Sequence, residues 1–89
     1  MVLVSFPRVL ERHVACPPVE VDAATVRQAL ERAFARLPAV RGYVLDEDGE
    51  LRPHMAVFVD GVPVKDRRKL GDKLTARAEV QVMQALSGG

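Results

Sequence analysis

The residue types most suited to chemistry stand at the end of the sequence, in Gly88-Gly89. Glycine costs the most entropy to order and packs nothing. It does suit a tail that threads a narrow enzyme channel, because no Cβ meets the walls. The group delivered that way is the Gly89 α-carboxylate. Its pKa of about 3.3–3.7 leaves it ionised and a poor electrophile at neutral pH, so acyl chemistry there needs prior activation. At a background glycine frequency of roughly 7%, a terminal pair arises by chance in about 0.5% of chains. That is too rare to dismiss, although frayed ends that serve nothing are common. The preceding residues weigh toward use. Leu86 is able to anchor a tail in an apolar channel, and residues 86–89 extend about 13 Å, enough to enter a buried site.

Other reactive side chains are sparse. Cys16 is the single cysteine, which excludes an intrachain disulfide and suits a reducing compartment. His13 and Cys16, with His54 far off, make a poor zinc set, so no metal site is expected. Cys16 beside His13 has the types of a nucleophile and its base. Pro17-Pro18 follow directly and no third group is there to orient the pair, so a structural or surface thiol is expected. Asp46-Glu47-Asp48 lacks the spacing of a calcium loop and reads as a polar turn. Lys65-Asp66-Arg67-Arg68-Lys69 is a basic run of the kind usually found in solvated loops.

The tail needs a body to hold it. Val2, Val4 and Phe6 alternate with Leu3 and Ser5, the pattern of a strand. Pro7-Arg8 starts a turn, and Val9 to Val14 is expected to return as a second strand in a hairpin. Val19 to Val21 extends or edges the sheet beyond Pro17-Pro18. The clearest helix runs from Thr25 to Leu37. Val26, Ala29, Leu30, Ala33, Phe34 and Leu37 form one apolar stripe. Thr25 with Gln28 is a capping-box pattern, and Pro38 is expected to stop the helix. Val40 to Leu45 reads as a short strand or extended arm. His54 to Val59 is a strong central strand, with Met55, Val57 and Val59 on one face and Ala56 and Phe58 on the other. Asp60-Gly61 is a favoured hairpin turn leading to Val62–Val64. Lys65 to Asp72 is expected to be loop, and Leu74 to tuck back toward the core. Glu79 to Gln84 is the last strand, Val80 and Val82 facing one way, Gln81 and Met83 the other. Leu30, Phe34, Val4, Val57 and Val82 are the expected core.

Composition narrows the class. The 89 residues suffice for one domain with a modest core, and the 48% hydrophobic content fits a folded globule. A net charge of +1 argues against a bulk polyanion binder, so no nucleic-acid partner is expected. No apolar run approaches the ~20 residues of a membrane span, and the short N-terminal apolar stretch has no basic leader. A cytoplasmic protein without a membrane partner, monomeric when free, is the expectation. The fold class is α+β with a mixed sheet and one main helix packed across one face. Residues 1–84 form the domain and residues 85–89 a flexible C-terminal di-glycine tail.

Three stretches resemble the MoaD/ThiS family, the molybdopterin-synthase small subunit and thiamine-pathway sulfur carriers of the ubiquitin-like superfamily. They are Thr25-Val26-Arg27-Gln28-Ala29-Leu30, Val57-Phe58-Val59-Asp60-Gly61 and Glu79 through Gly89. The order of elements is similar over nearly the whole chain. Two departures stand out: Gln84 and Ala85 occupy places where the family often has prolines, and Tyr43 to Pro53 is longer and more acidic than in short members.

The resemblance implies a β-grasp fold, with first and last strands parallel and central. It also implies a carrier without catalytic side chains and without a bound cofactor, so not an enzyme. A partner activating enzyme would use ATP to adenylate Gly89, and a sulfur donor would convert the adenylate to a thiocarboxylate. Leu86, Ser87 and Gly88 would form the reaching tail. A sulfur-accepting synthase or similar enzyme would be the second partner. Phe58 and Met83 are the candidate docking residues on the body, and Lys65 to Lys69 a candidate contact for an acidic surface of the activating enzyme. Two other readings stay open: a ubiquitin-like modifier joined through Gly89 to lysines, and a passive ubiquitin-fold binding module.

Overall fold

The structure, a computed structural model, describes residues 1–85. Five strands form one mixed sheet: β1 (Val2–Ser5), β2 (Val19–Val21), β3 (Met55–Val59), β4 (Val62–Pro63) and β5 (Glu79–Gln84), in the order β2-β1-β5-β3-β4. β1 and β5 run parallel, with Val4 opposite Val80, and every other pairing is antiparallel. Helix α1 (Val26–Arg36) lies across one face, followed at once by α2 (Pro38–Val44). The expected β-grasp arrangement is therefore present, with the last strand at the centre.

Alternation decides which side chains meet the helix. Val2, Val4, Met55, Val57, Val80 and Val82 are buried on the inner face. Ala29, Leu30, Ala33 and Phe34 of α1 are buried against them, as the apolar stripe requires. All five expected core residues lie inside. The outer face stays open, as one-sided antiparallel sheets commonly do.

Thr25 caps α1: its Oγ1 accepts the Gln28 N–H at 3.2 Å, while Gln28 Oε1 accepts from the Ala24 N–H at 2.8 Å. The reciprocal bond thus falls one residue before the usual capping-box donor. The next orphan donors are met from outside the helix. Val26 N–H bonds the Asp72 carbonyl at 3.0 Å and Arg27 N–H the Leu70 carbonyl at 2.8 Å.

Two local expectations are corrected. Residues Val9 to Val14 do not form a strand; Arg8–Arg12 is a 3-10 helix. Leu10 is its buried residue, and its carbonyl accepts from both His13 and Val14 at 2.9 Å. The antiparallel partner of β1 is consequently β2. α1 stops before Pro38, as expected, at its C-cap Leu37; Pro38 also opens α2 at its first position, where a missing N–H costs nothing. Val40 to Leu45, expected as strand or extended arm, lies largely in α2, with Val40 and Val44 buried one turn apart.

Candidate functional site

The segment that would deliver Gly89 is β5. It is held on both sides, by β1 and by β3. One further bond continues the ladder with β3, from Ala85 N–H to the His54 carbonyl at 2.8 Å. The strand end is thereby fixed up to the last described residue. Leu86, Ser87, Gly88 and Gly89 lie outside the described residues.

Met83 and Phe58 share the outer face. Met83 stands opposite Ala56, and Phe58 opposite Gln81, so the two are diagonal neighbours across the β3–β5 ladder. Met83 is 47% exposed and Phe58 half-buried. Neither belongs to the inner core.

Met83 has further company that sequence reasoning missed. With Gln84 it lines a groove of about 380 Å³ whose opposite wall is Phe6, Pro7, Arg8 and Val9. Val9 is 42% exposed, and the Phe6 ring leans on Phe34 at a centroid distance of 6.0 Å. The parallel pairing of β1 with β5 explains the meeting, because the chain leaving β1 must turn beside the end of β5. Phe58 is not in that groove. The only available signal was the parallel register itself, which a one-dimensional pattern does not show.

The remaining reactive residues disperse. Cys16 is buried, and burial pushes its thiol pKa up, with the nearby Glu11 carboxylate adding to the effect. Such a thiol is a poor nucleophile. His13 is stacked on Tyr43 at 5.8 Å rather than set against a carboxylate. Among the described residues no three His, Cys, Asp or Glu side chains gather as metal ligands. Asp46 makes the expected turn: its Oδ1 accepts the Asp48 N–H at 2.9 Å and the Glu50 N–H at 3.0 Å. Gly49 there takes φ +78°, where a Cβ would be strained.

The basic run is loop, as expected, but a built one. Asp72 accepts from the Lys65 N–H at 2.9 Å and the Asp66 N–H at 3.0 Å. Asp66 accepts from the Lys69 N–H at 2.9 Å, and backbone donors led by Lys69 hold its carboxyl below its usual range. Arg27 reaches from α1 to the Lys69 carbonyl at 3.1 Å and the Arg68 carbonyl at 3.2 Å. Arg67 donates to the Met55 carbonyl at 2.7 Å.

The solved structures with this architecture decide the class. SAMP1 from Haloferax volcanii is 28% identical, with a TM-score of 0.76 over 99% of this chain and 98% of that one. The Amycolatopsis orientalis BexX/CysO complex gives a TM-score of 0.82 at 23% identity, each chain covered in full. The chain is a ubiquitin-like β-grasp protein. The small archaeal modifier protein 1 of Methanosarcina acetivorans superposes on this β-grasp chain with a TM-score of 0.77 at 20% identity, over 99% and 95% of the two chains. These neighbours are ubiquitin-like sulfur-carrier and modifier proteins of the MoaD/ThiS type, the resemblance already carried by the sequence. No protein-family model and no curated protein matches the chain.

Proposed function

We propose that this protein is a sulfur carrier whose reactive group is the Gly89 carboxylate. The observation that carries the reading is the full-length likeness to SAMP1 and CysO in a chain whose sequence carries Gly88-Gly89 a few residues beyond the central strand. A separate activating enzyme supplies the chemistry. A Gly89 carboxylate oxygen attacks the α-phosphorus of ATP, and pyrophosphate leaves. Hydrosulfide from a donor attacks the resulting acyl carbon, AMP leaves, and a thiocarboxylate remains. That sulfur is then handed to an acceptor bound on a second enzyme. The protein contributes no catalytic side chain and holds no cofactor of its own. Glycines 88 and 89 give steric access, and Leu86 and Ser87 complete the reach. Phe58 and Met83 receive the partner on the outer face, and the setting is the cytoplasm.

A second reading is favoured by the modifier name that SAMP1 bears. In it the activated Gly89 acyl group goes to a lysine amine instead of to sulfur. Intact-protein mass spectrometry separates the two after incubation with an activating enzyme, ATP and sulfide. Replacement of one C-terminal oxygen by sulfur is the result expected of the carrier. An isopeptide adduct on a target lysine is the result expected of the modifier. Failure of any activating enzyme of the source organism to form the acyl-adenylate sinks both, and leaves a passive binding module.

A further inference from the structure

The residues from Lys65 to Arg77 hold six cationic side chains against the two carboxylates Asp66 and Asp72, in a chain whose net charge is +1. The rest of the chain is therefore net acidic, and positive charge is concentrated in one segment. Two further observations set this segment apart from an ordinary solvated loop.

First, its carboxylates are turned inward to the backbone. Both Asp72 oxygens accept loop N–H groups, and Asp66 Oδ1 accepts from Lys69 N–H. Neither carboxylate makes an ion pair among the described residues. The segment's backbone is also pinned, by Arg27, by Arg67 on the Met55 carbonyl and by the buried Leu70. Cations on a fixed platform lose less entropy on pairing than cations on a loose loop.

Second, the free amines are neighbours. Lys65 and Lys73 line one surface hollow with Asp66, and Lys69 lines the adjoining hollow, where Asp66 is again part of the wall. All three lysines are exposed, and none is ion-paired among the described residues. Asp48 and Glu50 also line the hollow of Lys69, and Glu50 lies 3.8 Å from Arg68. Arg67 places the start of this surface beside Met55, which pairs with Gln84 at the end of β5.

We propose that Lys65, Lys69 and Lys73 form a docking surface for an acidic protein face. The proposal rests on the carrier reading for the identity of that partner, the enzyme that activates Gly89. Hydrated, mobile ammonium groups suit several carboxylates at once without demanding bidentate geometry. Such a surface acts chiefly on encounter, so it speeds association and makes it salt-sensitive.

The test has two arms on the full-length protein. In the first, a glutamate-rich peptide is titrated into isotopically labelled protein at near-physiological salt, beside a neutral peptide and a single-stranded oligonucleotide of equal length. Amide shifts centred on residues 65–73, present with the acidic peptide and lost in the triple variant Lys65→Glu, Lys69→Glu, Lys73→Glu, are the expected result. Shifts elsewhere, or tighter binding of the oligonucleotide, overturn the proposal. In the second arm, the triple variant is a substrate for the activating enzyme. KM for the variant should rise by at least about tenfold with kcat unchanged, the size of an electrostatic steering effect. A parallel Arg32→Glu, Arg36→Glu variant on the α1 surface should leave KM in place. Equal KM for wild type and triple variant overturns the proposal while leaving the carrier reading standing. Absence of activation for wild type overturns the carrier reading, and the peptide arm still decides the surface.

Discussion

The backbone N–H of Arg27 bonds the carbonyl of Leu70 at 2.8 Å, and Leu70 is a fully buried residue at φ +57°. A bulky side chain in the left-handed region is an outlier that costs of order 1–3 kcal/mol. Two gains hold it there: the side chain enters the core, and the carbonyl satisfies a donor at the start of α1. Leu70→Ala should therefore destabilise the protein by about 2–4 kcal/mol, within the range for emptied core leucines. Urea unfolding of the variant gives the number, and a loss below about 1 kcal/mol would contradict the account.

Thr25 and Gln28 close the same helix end with side chains. Thr25→Ala should cost about 1 kcal/mol, and Thr25→Ser much less, because serine keeps the acceptor oxygen. Thermal melts of the two variants compared with wild type separate the cap from the loss of a methyl group.

Glu31 accepts two bonds from the Arg41 guanidinium, at 3.1 and 3.0 Å, and these hold its carboxyl below its ordinary range. A carboxylate depressed in the folded state adds stability that is present above its unfolded pKa of about 4.3 and lost as pH falls through the folded value. Both side chains are roughly 40% exposed, at 39% and 40%, so solvent screening limits the contribution to below about 1 kcal/mol. Denaturant titrations should show no loss from this pair between pH 7 and 5, and a loss on further acidification that Glu31→Gln abolishes. A Glu31→Gln profile parallel to wild type across the acid range would rule the pair out.

Met83 is exposed on the outer face, beside the groove closed by Phe6 to Val9. Met83→Asp should leave unfolding within about 0.5 kcal/mol of wild type. Affinity for the activating enzyme should fall at least tenfold, about 1.4 kcal/mol. Calorimetric titration of the two proteins checks it, and equal affinities would remove Met83 from the docking surface.

The sequence made most of the sheet and α1 legible for a physical reason. Period-two burial at Val2–Val4, Val57 and Val80–Val82, and a wide helical stripe with a threonine cap, each carry a long-enough signal. What stayed hidden was short or non-local. The 3-10 helix Arg8–Arg12 buries Leu10 alone, and five residues are too few to carry a periodic signal. Pro38 stops α1, as read, but that it also starts α2 was hidden, because Leu37 at φ −128° and ψ 65° separates the two helices. Leu70 sits in a run of charges, and its place in the core comes from loop hydrogen bonds that no periodicity announces. At the site, Met83 was legible from the alternation of β5. Its neighbours Phe6 to Val9 were not, because they meet it only through the parallel pairing of strands far apart in sequence.

That parallel pairing also orders events during folding. β5 fills the slot between β1 and β3, so until Glu79–Gln84 has been synthesised the sheet is two separate halves. The closing contact joins Leu3 to Glu79, a loop spanning most of the chain, and its entropy must be met before the sheet is complete. Completion of the sheet is therefore a late step in synthesis. A growing chain carries two unpaired strand edges, at β1 and β3, until the very strand that leads to the di-glycine arrives.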